Sequence, residues 1–457
     1  MPPPNITGQL HLGHALFLTL QDIQTRARTI MGQETLWLPG TDYAGLATHE
    51  KIKEELLKHG KKEQDLEAYW EMAWKWKATY HTRITTQMKA MGAGCDWNHE
   101  RFTLDKPYQQ STLYAFKCLL EKYPTLLYRK EEQWYFNMEP LAKPLIEALE
   151  KGEIQITPDG PKQELIQMLK KIEPWCLSRQ IPWGLSMPLH WKEENQGSII
   201  WKYEEGPKQE GWKKEESTFD TWFLSSLWPM ASLGWPNKTD LLEKFYPASW
   251  METGEDILFF WCARMLMIGY ALTGKWAFKE IFLHGLIRDK KGKKMSKSAG
   301  NGIDPLDCIQ NFGCDALRWY LACNTEPGLD LKFNLEELRK EARFINKIYQ
   351  SARFLAMNDA FSKTAFSKTE ESSSALKGLT QEWQQLLLNN RFKEAARLLQ
   401  RHYTEHFCNG FLEENKQAIR EKNQDIQKEC ARRFKHYLCL LHPFLPFITS
   451  ELHESFF

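Results

Sequence analysis

The chain opens MPPPNITGQLHLGH, Met1 to His14, and the reading of this stretch decides the fold. A proline run leads into a turn at Gly8, and two histidines, His11 and His14, then flank Gly13. Directly behind them Leu16, Leu20, Ile23, Ala27 and Ile30 fall on one helical stripe, which predicts a helix that stops at Gly32. A helix begun at the histidines turns its first N–H groups, and the positive end of its dipole, toward whatever lies in front. Two imidazoles beside that terminus suit a phosphate chain whose negative charge rises during a reaction. HxGH alone is a weak signal, because histidines are also ordinary turn and helix-start residues.

Working outward, Thr35 to Leu38 reads as a short strand ending in the turn Pro39-Gly40-Thr41-Asp42. Strand, turn, helix, strand is the rhythm of a parallel α/β sheet, where ligands sit at the carboxyl ends of strands. Asp42 lies at such an end, either as a ligand group or as a buried turn carboxylate. A second apolar run, Ile281 to Leu283, enters His284-Gly285 and Leu286 to Asp289, followed by KKGKKMSKSAGN, Lys290 to Asn301. Most lysine runs are solvated loops. Met295, Ser296 and Ser298 set among the lysines, just after a predicted strand, point instead to a mobile loop. Lys294 and Lys297 on it can neutralise a triphosphate as compact charges on long stems.

Between these poles, residues 49–94 read as two charged helical segments and Tyr108 to Lys122 as another helix. From Lys122 to Pro174 the prolines multiply, and the stretch reads as an insertion or connector rather than core sheet. Lys192 to Glu216 is expected to be a solvated hairpin or loop, and Ile257 to about Leu272 a hydrophobic helix. From Asn334 onward the pattern is helical, with a polar loop at Ser362 to Ser374 and a joint between the last two helices at His442 to Ile448.

The chain has 457 residues, a formal net charge of +1 and 19 Trp. That length predicts two to three domains with real cores. The charge balance argues against nucleic-acid binding through overall basicity, though not against a local basic face. Ten cysteines without a C-x-x-C pair exclude a zinc knuckle and a disulfide framework, so no structural zinc and a reducing, cytoplasmic compartment are expected. No apolar run is read as approaching a membrane span, and no signal peptide is read at the Pro-rich start.

HLGH at one end and KMSKS at the other resemble the paired signatures of class I aminoacyl-tRNA synthetases, and the pair is far more specific than either half. The finer resemblance is to the valyl members of that family. It is carried by PPPNITG (Pro2 to Gly8), GTDYAGLAT (Gly40 to Thr48), WCLSRQ (Trp175 to Gln180), DTWF (Asp220 to Phe223) and GLIRDKKGKKMSKSAGN (Gly285 to Asn301). It continues through CDALR (Cys314 to Arg318), RFKEAA (Arg391 to Ala396) and HPFLPFIT (His442 to Thr449).

The resemblance implies an α/β fold: a Rossmann-like parallel sheet over residues 1–333, with a reduced connective insertion at about 105–215, followed by an all-α, anticodon-binding-like bundle over 334–457. It implies a ligase that activates L-valine with ATP to valyl-adenylate, releasing pyrophosphate, and transfers valine to tRNA(Val). His11, His14, Lys294 and Lys297 would be catalytic, acting on the ATP phosphates with Gly13, Met295, Ser296 and Ser298 beside them. Asp256, after Gly254, would hold the ribose hydroxyls, and the backbone from His284 to Leu286 would frame the adenine. Asp42 and the backbone near Pro3 would meet the substrate ammonium, and Trp222 would wall the side-chain pocket. Mg²⁺ would travel with ATP rather than sit in a protein cage. The protein is expected to be a monomer without a membrane partner.

The chain also departs from the pattern. Leu127-Tyr128-Arg129 runs almost directly into Trp134-Tyr135-Phe136-Asn137, where the family carries a large editing domain, and no C-terminal coiled-coil arm is read. Tyr43 stands where the family usually has His, and Glu255 where an apolar residue is common. The family's first strand precedes the PPPN turn, so Met1 is expected to be a mis-assigned start. Two other readings stay open: a valine-adenylating paralogue with a non-tRNA acceptor, and an inactive RNA-binding paralogue. The retained helical tail favours tRNA over the first, and the intact histidines and lysines argue against the second.

Overall fold

In the computed structural model, which describes residues 1–61, 65–194, 199–205, 210–295, 301–361 and 374–457, the first helix, α1, runs Leu12–Ile30. Leu16, Leu20, Ile23 and Ala27 are buried, as the stripe requires, while Ile30 is exposed at the helix end. Gly32, at φ +82°, ends the helix where a side chain would be strained.

The expected strand at Thr35 to Leu38 does not form. Trp37 and Leu38 are buried through their side chains, but ladder pairing begins only at β1 (Gly40–Thr41). At Gly40 the chain lies flat against the Arg101 carbonyl and the Trp228 ring, where any Cβ would collide. Helices α2 (Leu46–Lys58) and α3 (Leu66–Ala90) follow, then β2 (Arg101–Phe102), which pairs with β1 in parallel, and α4 (Lys106–Lys122).

Beyond α4, strands β3 (Leu127–Lys130) and β4 (Gln133–Phe136) form an antiparallel hairpin in which Lys130 faces Gln133. Only Glu131 and Glu132 lie between them, and Glu131 takes the left-handed conformation at φ 57°. Helix α5 (Glu139–Lys151), β5 (Gln155–Thr157) and α6 (Gly160–Lys170) come next. β5 corrects the reading of this region as connector alone. It pairs in parallel with the strand Glu280–His284, which also neighbours Met251–Gly254, so it belongs to the central sheet. Its signal is faint because β5 has three residues and one apolar side chain, Ile156. Its partner is legible because Ile281, Phe282 and Leu283 are buried on both faces, the mark of a parallel sheet. The turn at the chain start adds a further parallel bridge, Asn5 to Asp42, with Pro4 O and Ile6 N both bonded to Asp42 at 3.0 Å.

The chain divides into two compact units. One comprises Met1–Gln9, Leu38–Thr85 and Asp96–Leu283; the other comprises Leu10–Trp37, Thr86–Cys95 and His284–Phe457. The first holds the sheet above and a three-stranded antiparallel sheet of Leu189–Glu193, Ile199–Tyr203 and Lys213–Lys214. It also holds the apolar segment Glu255–Thr273, which by length and hydropathy could cross a membrane, contrary to the reading that no run approaches that length. More than half of it is buried inside the protein, as in a core helix.

Among its described residues the second unit is mainly helical, with the short parallel pair Ile287–Arg288 and Leu331–Lys332. Its core is pinned by a buried ion pair. Asp22, fully buried on α1, takes Arg318 Nη2 at 2.6 Å and Arg26 Nε at 2.7 Å, while Gly94 N–H donates to its other oxygen at 2.8 Å. Three further Arg318 N–H groups reach the carbonyls of Met91, Pro443 and Phe444. The polar loop Ser362 to Ser374 lies almost wholly outside the described residues. No disulfide links any of the ten cysteines.

Removing one partner of such a pair strands a buried charge. Asp22→Ala is expected to lower the unfolding free energy by about 3–5 kcal/mol, and the paired change Asp22→Leu/Arg318→Met by much less, both read from urea midpoints. A pH dependence follows from two histidines of this unit. Burial pushes His442 down to about 4, with Arg26 adding to the effect, and pushes His402 down to about 4, helped by His406. Both stay neutral in the native state, whereas the unfolded chain binds protons below about 6.5. Stability is therefore expected to fall as pH drops from 6.5 toward 4, and His442→Asn should flatten that fall in acid titrations of the urea midpoint.

Candidate active site

The HLGH turn caps α1 with its own side chains. His11 is the N-cap residue, and its Nδ1 accepts the Gly13 N–H at 3.1 Å; the His11 N–H in turn donates to His14 Nδ1 at 3.2 Å. This is a capping box built from imidazoles. Because both Nδ1 atoms accept, the neutral rings carry their protons on Nε2. The rings lie 4.0 Å apart between centroids, tilted at 58°, and both side chains are half-buried. Gly13 has a steric reason to be glycine, since a Cβ there would sit 2.8 Å from His11 Cε1.

Just upstream, the Leu10 N–H donates to Gln87 Oε1 at 2.8 Å, and Gln87 Nε2 reaches Asp304 Oδ1 at 3.1 Å. Asp304 caps the helix Pro305–Phe312, which follows the lysine loop. The buried Gln87 amide thus bonds both the HLGH turn and the foot of the lysine-rich segment. No motif in the sequence marks it.

That segment belongs to the same compact unit. Asp289 organises its turn, accepting the N–H groups of Lys291 and Lys293 at 2.9 Å and the Asn301 amide at 2.8 Å. The Asn301 bond, first among several, holds the Asp289 carboxyl below the usual carboxylate range. Arg288 pairs with Asp330, whose other oxygen takes the Leu286 N–H at 2.7 Å. Gly285 presses against the Leu329 backbone so closely that no Cβ fits. His284 and Met295 are buried and Lys294 is exposed. Ser296, Lys297 and Ser298 lie outside the described residues.

The first unit carries the rest of the expected site. Asp256 is exposed, two residues past the buried Gly254, and Pro3 is half-buried. Asp42 is buried, and its carboxylate is held by three donors. Ala44 N–H bonds Oδ1 at 2.6 Å and Thr221 Oγ1 bonds Oδ1 at 2.7 Å, while the Ser225 hydroxyl bonds Oδ2. Burial raises the Asp42 carboxyl above its ordinary range, and these three donors oppose the rise. Ala44 and Gly45 both take positive φ, at 61° and 50°, a left-handed turn that aims the Ala44 N–H back at Asp42. Tyr43 is fully buried and donates to Phe219 O at 2.9 Å.

Thr221 and Ser225 lie on the short helix α7 (Thr221–Ser226), and so does Trp222. Trp222 faces Phe260, with centroids 6.4 Å apart, and lines a cavity of about 620 Å³ that includes Trp175, Arg179, Asp220 and Arg264. There Trp175 Nε1 donates to Asp220 at 2.8 Å, Arg179 pairs with Asp220 at 3.1 Å, and Arg264 stacks on Trp175. Among the described residues, no group of three or more His, Cys, Asp or Glu is placed to hold a metal ion. Gly13→Ala is expected to push the His11 ring out of its cap and to cost about 1 kcal/mol of stability, read from urea midpoints.

Comparison with known proteins places this geometry. The family described as tRNA synthetases class I (I, L, M and V) matches residues 1–131 and 122–334, and the anticodon-binding domain of tRNA ligase matches 372–457. A valine–tRNA ligase of Carboxydothermus hydrogenoformans is 30% identical, covering 99% of this chain and 74% of its own. That alignment runs over 653 positions against 457 residues here, so the relative carries inserted segments that this shorter chain lacks. Among solved structures, methionyl-tRNA synthetase of Mycobacterium tuberculosis bound by methionyl-adenylate matches with TM-score 0.75 at 14% identity, over 99% of this chain and 92% of that one. A ternary complex of Agrobacterium radiobacter K84 LeuRS with tRNA and LeuAMS matches with TM-score 0.73 at 15% identity, over 99% and 84%. At such identities these two carry the fold alone. The chain is an enzyme of the class I aminoacyl-tRNA synthetase family, a ligase with a Rossmann-like α/β core and a helical C-terminal region.

Proposed function

We propose that this synthetase is a valine–tRNA ligase, which activates L-valine with ATP and transfers it to tRNA(Val) without editing of its own. The observation that carries the valine reading is the 30% identity to a valine–tRNA ligase across 99% of the chain. Residues 1–333 form the catalytic domain in this reading, and 334–457 the part that meets the anticodon arm. The protein works as a cytoplasmic monomer.

Adenylate formation needs positioning and charge stabilisation more than covalent help. His11 and His14 present Nε2–H donors to the ATP phosphates; the Nδ1 bonds to the α1 backbone support that role by fixing both tautomers. Lys294, Lys297 and the neighbouring Met295, Ser296 and Ser298 act from the loop, with Mg²⁺ arriving on ATP. Asp256 takes the ribose hydroxyls, and Gly13, Gly254, His284 and Leu286 shape the nucleotide's surroundings. Asp42 and the backbone near Pro3 receive the valine ammonium, and Trp222 bounds the isopropyl group. Passing valine to a carrier instead of tRNA is the less favoured reading, since the anticodon-binding match at 372–457 has no use there.

A hydrophobic pocket separates valine from threonine by only about a hundredfold, because a hydroxyl in place of a methyl leaves the shape unchanged. Without an editing domain, threonine is expected to accumulate on tRNA(Val). Valine-dependent ATP–pyrophosphate exchange, aminoacylation of tRNA(Val) with labelled valine and threonine, and deacylation of Thr-tRNA(Val) test the three parts. Exchange with charging supports the ligase. Exchange without charging favours the carrier reading, and rapid deacylation defeats the claim of missing editing.

A further inference from the structure

Thr221 and Ser225 are one helical turn apart on α7, so their hydroxyls share a face, and both reach one carboxylate far away in sequence, Asp42. Trp222 lies between them on the same helix. We propose that Thr221 and Ser225 are positioning residues that clamp Asp42 for the substrate's α-ammonium group, so that α7 couples recognition of the ammonium to placement of the side-chain wall. This rests on the assignment of the ammonium to Asp42.

A carboxylate offers roughly four acceptor positions. Ala44 N–H and Thr221 fill two on Oδ1, and Ser225 fills one on Oδ2. The remaining position belongs to Oδ2, and with the carboxylate fixed from three sides it has one direction. A buried carboxylate left without such donors would rotate or take up a proton. Ser225 Oγ also lies 2.9 Å from Thr221 O. Its single proton therefore has two acceptors, and it can turn to the carbonyl when an ammonium donates to Oδ2. Gly45 leaves room for Thr221, since an added Cβ would stand 3.3 Å from the Thr221 Cβ. The turn GTDYAG and the helix are thus fitted to each other.

The groups whose charge reaches Asp42 are Asp220, which raises its carboxyl, and the buried phenols Tyr43 and Tyr108, whose own ionisation Asp42 opposes. The Ser225 and Thr221 hydroxyls, with the Ala44 N–H, lower the Asp42 carboxyl against the effect of burial, so loss of the hydroxyls raises it further and is felt most at low pH.

The test is amino-acid-dependent ATP–pyrophosphate exchange by the full chain carrying Thr221→Val/Ser225→Ala, with Thr221→Ser as the conservative control. KM for valine is expected to rise about tenfold, with the excess growing from pH 8 to pH 6, while KM for ATP is unchanged and kcat falls less than KM rises. Thr221→Ser restores the wild-type KM. Inhibition by valinol, which keeps the ammonium, weakens in the double variant; inhibition by isovalerate, which lacks it, does not. An unchanged KM for valine, a parallel rise in KM for ATP, equal weakening by both inhibitors, or failure of Thr221→Ser to restore binding overturns the clamp. If the wild-type protein activates a different amino acid, the valine reading fails, and the same measurements are made with that amino acid and its amino alcohol. Absence of exchange with every amino acid overturns both.

Discussion

A carboxylate with no solvent around it organises the second compact unit. Asp22 accepts two guanidinium groups and a backbone N–H, and Arg318 carries the same network to three carbonyls in two other segments. Four of the five Arg318 N–H groups are bonded, and dense hydrogen bonding of this kind is the condition under which a buried ion pair is tolerable at all. The result is geometric. α1 is a rod of 19 residues, about 28 Å long at the usual rise, and Asp22 fixes its rotation and register near the middle. The imidazole box at its front end inherits that register, as does the Gln87 bridge behind it.

The parts of the fold legible in the sequence are those with a periodic or a steric signature. α1 was readable from Leu16 to Ala27 because one face must be buried; the strand Ile281–Leu283 was readable because both must be. Gly13 and Gly285 belong to recognisable phrases, but the collisions that require glycine there are visible only once His11 and Leu329 are in place. The strand expected at Thr35 to Leu38 failed because burial of Trp37 and Leu38 implies a core position, not a ladder partner. β5 went unread because three residues with one apolar side chain carry no period. The Asp42 clamp was beyond reach for a different reason. Hydroxyls at Thr221 and Ser225 are commonplace in a short helix, and their partner lies 179 and 183 residues away. Local sequence holds no record of such pairings.

The solved relatives sharpen the division between fold and specificity. At 14–15% identity the methionyl and leucyl structures share the architecture over 99% of this chain. What persists at that distance is the fold. Substrate choice lives in a few side chains set on such a frame; in the reading proposed above these lie near α7, whose residues of one helical turn face a buried carboxylate and an aromatic-walled cavity.

The Glu131-Glu132 turn has a bearing on how such an enzyme can be built. β3 and β4 close on each other through two residues, so their ends stand at the usual strand spacing of about 5 Å. A segment whose own termini lie together can enter or leave at that point without moving either strand, since lengthening a closed loop costs little. The hairpin is a seam: the sheet on one side of it folds by the same pairings whatever is stitched in on the other. An inserted segment and a two-residue turn are, for the core, interchangeable parts.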